Sequence, residues 1–427
     1  MRRSLSRFTT LAIAVLFAAP SAAVATQHGS QPDHIGGIRV IASATIPRRM
    51  VVDATLVGGL SGIDYDSRSD SWVAISDDRS VNAPARYYHL DLAWDAGSIT
   101  TLELTSSVTL LQANGEPYPN ARIGGNVPDL EAIRFDPQGD ALWYGSEGSR
   151  ELDLDPFVAA ADSEGRLTFS TAPASFAMFR GEGRGARESM GFEGLTFSAD
   201  GASLWAAMEG PLLQDGSPST VDSTSFSRIT NIDREGNVIR QFAFEVDRLP
   251  AVTDGFATIG VTEILAIDDD GFLILQRAAT ETSTLFFSTI DYHVKVYEVS
   301  VLGATDISGV ESLEGATFTP MRKRLVLDLG AIGVEPVGNF EGMSWGPALG
   351  NGNRSLVLVA DDNFSKALET RFVVLEVAGP GGWRADAESL TAAHRDIEIV
   401  EAVDAPDPGS RVDHDIGIEP IWRAGQA

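Results

Sequence analysis

Cysteine is absent from the 427 residues, so disulfides, a thiol nucleophile and a lipid-anchored N-terminal cysteine are all excluded. Stability must then come from an apolar core or from bound ions. Lysine is nearly absent too. Lys295, Lys323 and Lys366 are the only three, and arginine supplies the other positive charges. The 32 basic residues face 60 acidic ones, a formal charge of −28. A surface this acidic repels nucleic acid and anionic membrane, so neither is an expected partner; it suits cations. Beyond the N-terminus no run reaches about 18 uninterrupted apolar residues, the length a membrane helix needs. Helical periodicity is weak, with Pro156–Ala161 an ambiguous stretch. HExxH, EF-hand, P-loop and Gly-x-Ser-x-Gly patterns are all missing.

The N-terminus reads as an export signal. Arg2, Arg3 and Arg7 precede a short apolar-rich run from Phe8 to Ala19, and Ala23-Val24-Ala25 has the small residues of a cleavage site. Residues 1–25 are therefore expected to be removed, leaving a periplasmic or secreted protein with no membrane attachment. Those residues include three arginines and no acids, so their loss deepens the charge from −28 to about −31.

What the chain has in quantity is a repeat. Four segments read GLSGIDYDSRSDSWVAISDD from Gly59, DLEAIRFDPQGDALWYGSEG from Asp129, GFEGLTFSADGASLWAAMEG from Gly191 and VTEILAIDDDGFLILQR from Val261. A fifth, NFEGMSWGPALGNGNRSLVLVADD, starts at Asn339. Each is a short apolar strand, a turn rich in Asp, Gly, Pro or Asn, and a second apolar strand, which is a hairpin signal. Third strands follow in ARYYHLDL, SRITNID, YHVKVYEVSV and TRFVVLEVA, and fourth strands in NVIRQFAFEV and KRLVLDLG. Four-stranded units repeated around an axis make a β-propeller. The expected fold is thus all-β and a single domain, a monomeric propeller over residues 56–400. Five repeats are clear, and the N-terminal segment 26–55 with C-terminal strands is expected to close a sixth blade. LEGATFTPMRKRLVLDL from Leu313 is read as an insertion before an outer strand, and residues 401–427 as a surface-wrapping tail.

Folding each hairpin across its turn brings acids to a common end. Glu131 falls beside Glu147, Glu193 beside Glu209, Glu341 beside Asp361 and Asp362, and Ser61 beside Asp77 and Asp78. The fourth repeat differs, with Glu263 expected opposite Gln276 and Arg277. Inner strands of a propeller all run the same way, so these ends converge on one mouth. The candidate metal ligands are Glu131, Glu147, Glu193, Glu209, Glu263, Glu341, Asp361 and Asp77, an oxygen-rich set suited to Ca²⁺. Arg277 is either an ion-pair partner for these acids or a contact for an anionic substrate group. Arg86, Arg228, Lys295 and Arg371 begin third strands at the same rim, so they could instead neutralise the acids internally. The glycine-rich Gly181–Gly191 reads as a loop arching over the rim, where Arg180, Arg184 and Arg187 could draw in an anion. His89 and His293 read as packed or surface histidines.

The segments LEAIRFDPQGDALWYGSEGS, FEGLTFSADGASLWAAMEGP, TEILAIDDDGFLILQRA and NFEGMSWGP…LVLVADDNF resemble the phytase-like family, named for an esterase-like activity of phytase. The resemblance covers roughly Leu56 to Val377. It implies an exported propeller with phosphoric ester hydrolase activity on a small anionic phosphoester. The alkaline propeller phytases use Ca²⁺ in an acidic channel mouth, and the rim here is similar in kind. On that reading Glu193, Glu131 and Arg277 are the candidate catalytic residues. The alternative is a non-catalytic propeller that binds a ligand or protein, with calcium purely structural.

Overall fold

The computed structural model describes residues 34–380, apart from residue 96 and segments 179–182, 251–254 and 284–287. The expected signal at 1–25, Arg180 and the tail at 401–427 lie outside the described residues.

Alternating apolar residues and Asp/Gly turns produce five four-stranded antiparallel sheets. From inner to outer strand, blade 1 comprises Leu60–Asp66, Ser71–Ser76, Arg86–Trp94 and Ile99–Thr109. Blade 2 comprises Leu130–Phe135, Leu142–Ser146, Phe157–Ala161 and Leu167–Thr171. Blade 3 comprises Phe192–Phe197, Ser203–Met208, Ser225–Asp233 and Val238–Val246. Blade 4 comprises Ala257–Ala266, Gly271–Ser283, Ser288–Ser300 and Arg322–Asp328. Blade 5 comprises Asn339–Trp345, Arg354–Asp361, Arg371–Ala378 and, as its outer strand, Gly37–Thr45. The ambiguous Pro156–Ala161 is thus mostly a third strand, and the segment from Leu313 is a loop before an outer strand.

The propeller has five blades rather than six. The N-terminal strand does not begin a new blade; it pairs antiparallel with Arg371–Ala378, from Gly37 opposite Ala378 to Thr45 opposite Arg371. Blade 5 has only three strands of its own, so its exposed edge takes the early strand and closes the ring. Arg39 reinforces the seam, its Nη2 lying 2.6 Å from Glu376.

Each boundary between neighbouring blades holds its own apolar core. Tyr87, Leu130 and Tyr144 pack between blades 1 and 2. Phe192, Trp143 and Met208 pack between blades 2 and 3, and Trp205, Phe244 and Phe272 between blades 3 and 4. Val296, Phe340 and Leu375 join blades 4 and 5, while Trp72, Tyr88 and Phe372 join blades 5 and 1. Burying one such side chain stabilises by about 1.5–3 kcal/mol. The cores therefore fix the blades against one another.

The inner strands approach closely enough that a side chain is hard to fit between them. A Cβ on Gly62 would lie 2.8 Å from the Glu131 carbonyl oxygen, and one on Gly194 would lie 2.6 Å from the Ile264 nitrogen. The narrow centre is filled by Arg134 of blade 2. Its guanidinium donates to the carbonyls of Ile63 (2.7 Å), Ile264 (3.3 Å) and Met343 (3.2 Å), and pairs with Glu263 at 2.7 Å. One side chain thereby ties four blades together and blocks the axis.

A candidate active site at the channel mouth

Every inner strand carries a β-bulge one residue in from the mouth. The pairing register shifts between Leu60 and Gly62, Leu130 and Ala132, Phe192 and Gly194, Val261 and Glu263, and Phe340 and Gly342. A bulge leaves its extra residue unpaired and re-aims the side chain. The five bulged residues are Ser61, Glu131, Glu193, Thr262 and Glu341. Asp77, Glu147 and Glu209 sit just beyond their second strands, Asp361 ends its own and Arg277 lies inside the longer strand of blade 4. Glu147, Glu209, Arg277 and Asp361 lie beside Asp129, Gly191, Gly260 and Asn339.

The structure corrects the register expected for the fourth repeat. Its bulge position is Thr262, whose hydroxyl donates to the Phe340 carbonyl at 3.5 Å. Glu263 pairs with Leu275, not with Gln276 or Arg277. It occupies the position that is Gly or Ala in the other inner strands. Its carboxylate accepts from Leu195 N (3.1 Å) and Ile264 N (2.9 Å) and meets Arg134. Burial pushes Glu263 up to about 7 against the opposing pull of Arg134. Its carboxylate thus faces Arg134 and two backbone amides, so the structure does not bring Glu263 together with the other candidate ligands.

The other candidates come together. Asp129, Glu131 and Glu147 each present an oxygen, all within 4.8 Å of one another. Glu193, Glu209, Glu341, Asp361 and Asp77 continue the ring, and all of these acids but Asp77 are less than a tenth exposed. Burial first, then the charge of Glu193, Asp129, Glu147 and Asp77, raises Glu131 well above the usual carboxylate range. Burial followed by Glu209, Glu147 and Glu341 does the same to Glu193. Asp77, Glu147 and Asp361 are raised well above their ordinary values for the same pair of reasons. Glu209 is pushed up to about 7 by burial, with Arg277 pulling the other way.

Cationic relief is scarce. Arg277 donates to Asn339 Oδ1 at 2.8 Å and Glu209 Oε1 at 3.1 Å, and lies 3.4 Å from Glu341. Arg79 lies 3.5 Å from Asp129. The third-strand cations, the alternative source of internal neutralisation, do not pair with these eight acids, although Asp78 of the expected hairpin end takes one. Arg86 pairs with Asp78 and Arg228 with Asp215, both at 2.6 Å, and Lys295 approaches Asp247. Arg371 donates to the Pro336 carbonyl and meets Glu369 at 3.8 Å. Eight carboxylates therefore share two guanidiniums among the described residues. Asp361 Oδ2 is buried with no hydrogen-bond partner among them. An orphaned oxygen beside clustered acids is what a hard cation would satisfy, so the donor set fits Ca²⁺.

The loop expected over the rim is anchored at its described end. Glu188 accepts from Ser149 Oγ at 3.0 Å, and Arg187 donates to the Pro211 and Gly216 carbonyls. Arg184 reaches Glu311 at 3.8 Å, away from the cluster. Blade 4 adds a wall, because its second and third strands run on to Ser283 and back from Ser288. Tyr292 on this extension is pushed up to about 12 by burial, with Arg277, Glu341 and Asp361 as its charged neighbours.

Asp129, Arg79 and Tyr292 were not picked out from the sequence. Asp129 opens the second repeat, just before the strand that carries Glu131, so its place at the hairpin end was legible. Arg79 and Tyr292 carry no repeat signal.

A family profile described as phytase-like, esterase-like activity of phytase, matches residues 55–364. No curated protein matches the chain significantly. Similar solved structures include the C-terminal WD40 domain of Sif2, at 10% identity over 79% of this chain and 99% of that one, with TM-score 0.30. A GH43 β-1,3-galactosidase with galactodeoxynojirimycin shows 10% identity over 80% and 96%, with TM-score 0.41. A Bacteroides vulgatus member of the DUF4221 family shows 6% identity over 80% and 99%, with TM-score 0.33. At such low identity and score, these likenesses carry no argument about chemistry.

Proposed function

The chain belongs to the phytase-like family, and on that premise we propose that it is a calcium-dependent phosphoric ester hydrolase working at the acidic mouth. The observation that supports this most is the convergence of Asp129, Glu131 and Glu147 within 4.8 Å, in a ring of acids too numerous for its two arginines.

Asp129, Glu131 and Glu147 would hold one cation, and Glu193, Glu209, Glu341, Asp361 and Asp77 offer oxygens for others around the ring. Bound there, calcium would neutralise phosphate charge and make a coordinated water more acidic. The chain's own groups then divide the work. Glu193 has a raised proton affinity, from burial and from the charge of Glu209, Glu147 and Glu341, so in its ionised form it would be a stronger base toward the attacking water than an ordinary carboxylate. Glu131 belongs to the cluster with Asp129 and Glu147 and feels the charge of Glu193, so it would align the water toward that base. Arg277 is fixed by Glu209, Glu341 and Asn339, and it supplies positive charge as negative charge develops on the ester. Arg134 spans the inner strands through the Ile63 and Met343 carbonyls, so substrate would enter and product would leave on the side of the acids.

No helix among the described residues is long and apolar enough to cross a membrane. Export with loss of residues 1–25 is part of the proposal, and N-terminal sequencing of the protein recovered outside the cytoplasm should begin near Thr26.

Phosphate release from p-nitrophenyl phosphate and from phytate, measured in millimolar calcium and again in EDTA, tests the activity. Release in calcium that EDTA abolishes is expected. Calcium-dependent thermal stability with no turnover on any phosphoester would instead identify a binding propeller.

A further inference from the structure

Arg79 is the second cation of the mouth, and its ion pair with Asp129 is a loose one at 3.5 Å. It lies in the turn that leaves the second strand of blade 1, and both it and Ser80 adopt left-handed backbone, at φ 49° and 55°. Such a conformation costs a residue with a side chain about 1–2 kcal/mol. The turn is held firmly in spite of that. Asp78 accepts from Asn82 N (2.9 Å), Asn82 Nδ2 (2.8 Å), Ala83 N (2.8 Å) and Arg86 Nη1 (2.6 Å). Ala121 N donates to the Arg79 carbonyl at 3.1 Å. The backbone of Arg79 is therefore fixed from both sides, and its side chain is aimed rather than free.

Blade 5 provides an internal control. Asp361-Asp362-Asn363-Phe364 repeats the same construction as Asp77-Asp78-Arg79-Ser80, with Asn363 and Phe364 at φ 48° and 50°. Asparagine tolerates this conformation well, and it fills the place where blade 1 has arginine. The turn alone does not call for a guanidinium.

The surroundings say what the guanidinium is for. Its side chain is 22% exposed and its nearest acid is Asp129 at 3.5 Å, with Glu147, Glu188 and Glu131 also bearing on its charge. Its Nε is buried without a hydrogen-bond partner among the described residues. Arg277 also has a buried Nε without a partner, but both of its terminal nitrogens already donate, to Asn339 and Glu209. A planar fork with unused donors beside a cation-binding cluster matches a tetrahedral oxyanion that offers one edge to the metal and another to the arginine.

We propose that Arg79 is the phosphate-recognition residue of the mouth, taking the phosphoryl oxygens of a monoester seated on the Asp129–Glu131–Glu147 cluster. This rests on the reading of the mouth as a phosphoesterase site. It names the group that selects an anionic tetrahedral centre there.

Calorimetric titration of inorganic phosphate, in millimolar calcium, into the wild type, Arg79→Asn and Arg79→Lys provides the test. Arg79→Asn installs the residue that blade 5 uses in the same turn, so the melting temperature should change little. Phosphate affinity should fall about tenfold or more in Arg79→Asn and partly recover in Arg79→Lys. A separate calcium titration should show affinity unchanged or tighter in Arg79→Asn, because a cation has left the cluster. Wild-type-like phosphate binding by Arg79→Asn would overturn the proposal. So would a loss of phosphate binding matched by an equal loss of calcium affinity, or no phosphate binding by the wild type in calcium. If phosphate binds through Arg79 but no ester is hydrolysed, the hydrolase reading fails and the phosphate site stands. If esters are hydrolysed and Arg79→Asn leaves KM and the inhibition constant for phosphate unchanged, the hydrolase stands and this site does not.

Discussion

Without divalent cations, the protein should lose stability as the pH rises from about 5 to about 8, and calcium should remove part of that loss. Glu209 has its folded-state value raised from 4.5 to about 7. Between those values the folded carboxyl still binds a proton that the unfolded one has released. Unfolding then releases protons, so stability is present at low pH and declines as the pH climbs toward 7. A rise of that size corresponds to about 3 kcal/mol for Glu209 alone. Glu131, Glu147, Glu193, Asp77 and Asp361 are raised too, by burial and by their neighbours' charge, so they add to the decline in the same direction. Calcium binds the ionised rim, so it should raise the melting temperature more at about pH 8 than at about pH 5. Glu263 is also raised to about 7, but it faces Arg134 rather than the rim, so its share should persist in calcium. Scanning calorimetry across this range, in EDTA and in millimolar calcium, gives both curves. A melting temperature that climbs with pH in EDTA, or a calcium effect equal at both ends, would refute the reasoning.

Three substitutions probe other parts of the account. Glu193→Gln should lower phosphate release by about 10²–10⁴ while leaving the melting temperature close to wild type, as expected for loss of a proton acceptor. Arg134→Met leaves Glu263 buried without its cation, so urea denaturation should show a loss of about 3–5 kcal/mol, and Glu263→Gln in the same chain should restore part of it. Gly191→Ala puts a Cβ 2.1 Å from the Glu147 carbonyl oxygen, a backbone atom with little room to move. It should cost about 1–3 kcal/mol in the same assay and disturb calcium binding at the neighbouring Glu147.

The hairpins were legible because a strand with one buried face alternates with period two, and a Gly/Asp turn punctuates it. That pattern carried the acids as well. Glu131, Glu193 and Glu341 each stand one residue after an apolar strand start, and the bulge there turns them toward the mouth. The same cue misled in blade 4. VTE places its glutamate one residue late, and only backbone pairing reveals that Thr262 takes the bulge while Glu263 turns to Arg134. The blade number depended on a contact between the two ends of the domain, Gly37–Thr45 with Arg371–Ala378, which no local pattern encodes. The third-strand arginines were placed at the right strand starts. Arg86 takes Asp78, which ends the first repeat, but Arg228 takes Asp215, which lies beyond the third, so the choice of partner was not written in the repeat. Arg79 was invisible for a related reason, since its meaning comes from a turn conformation and an acid on the next blade.

The central claim is that the carboxylates of the mouth exist to hold cations. A crystal of the protein soaked in calcium, measured for anomalous scattering, tests it most directly. The account predicts an ion among Asp129, Glu131 and Glu147, with Asp361 Oδ2 turned to a ligand. A well-ordered mouth in millimolar calcium with no ion there, its carboxyls sharing protons or held by arginines alone, would contradict it.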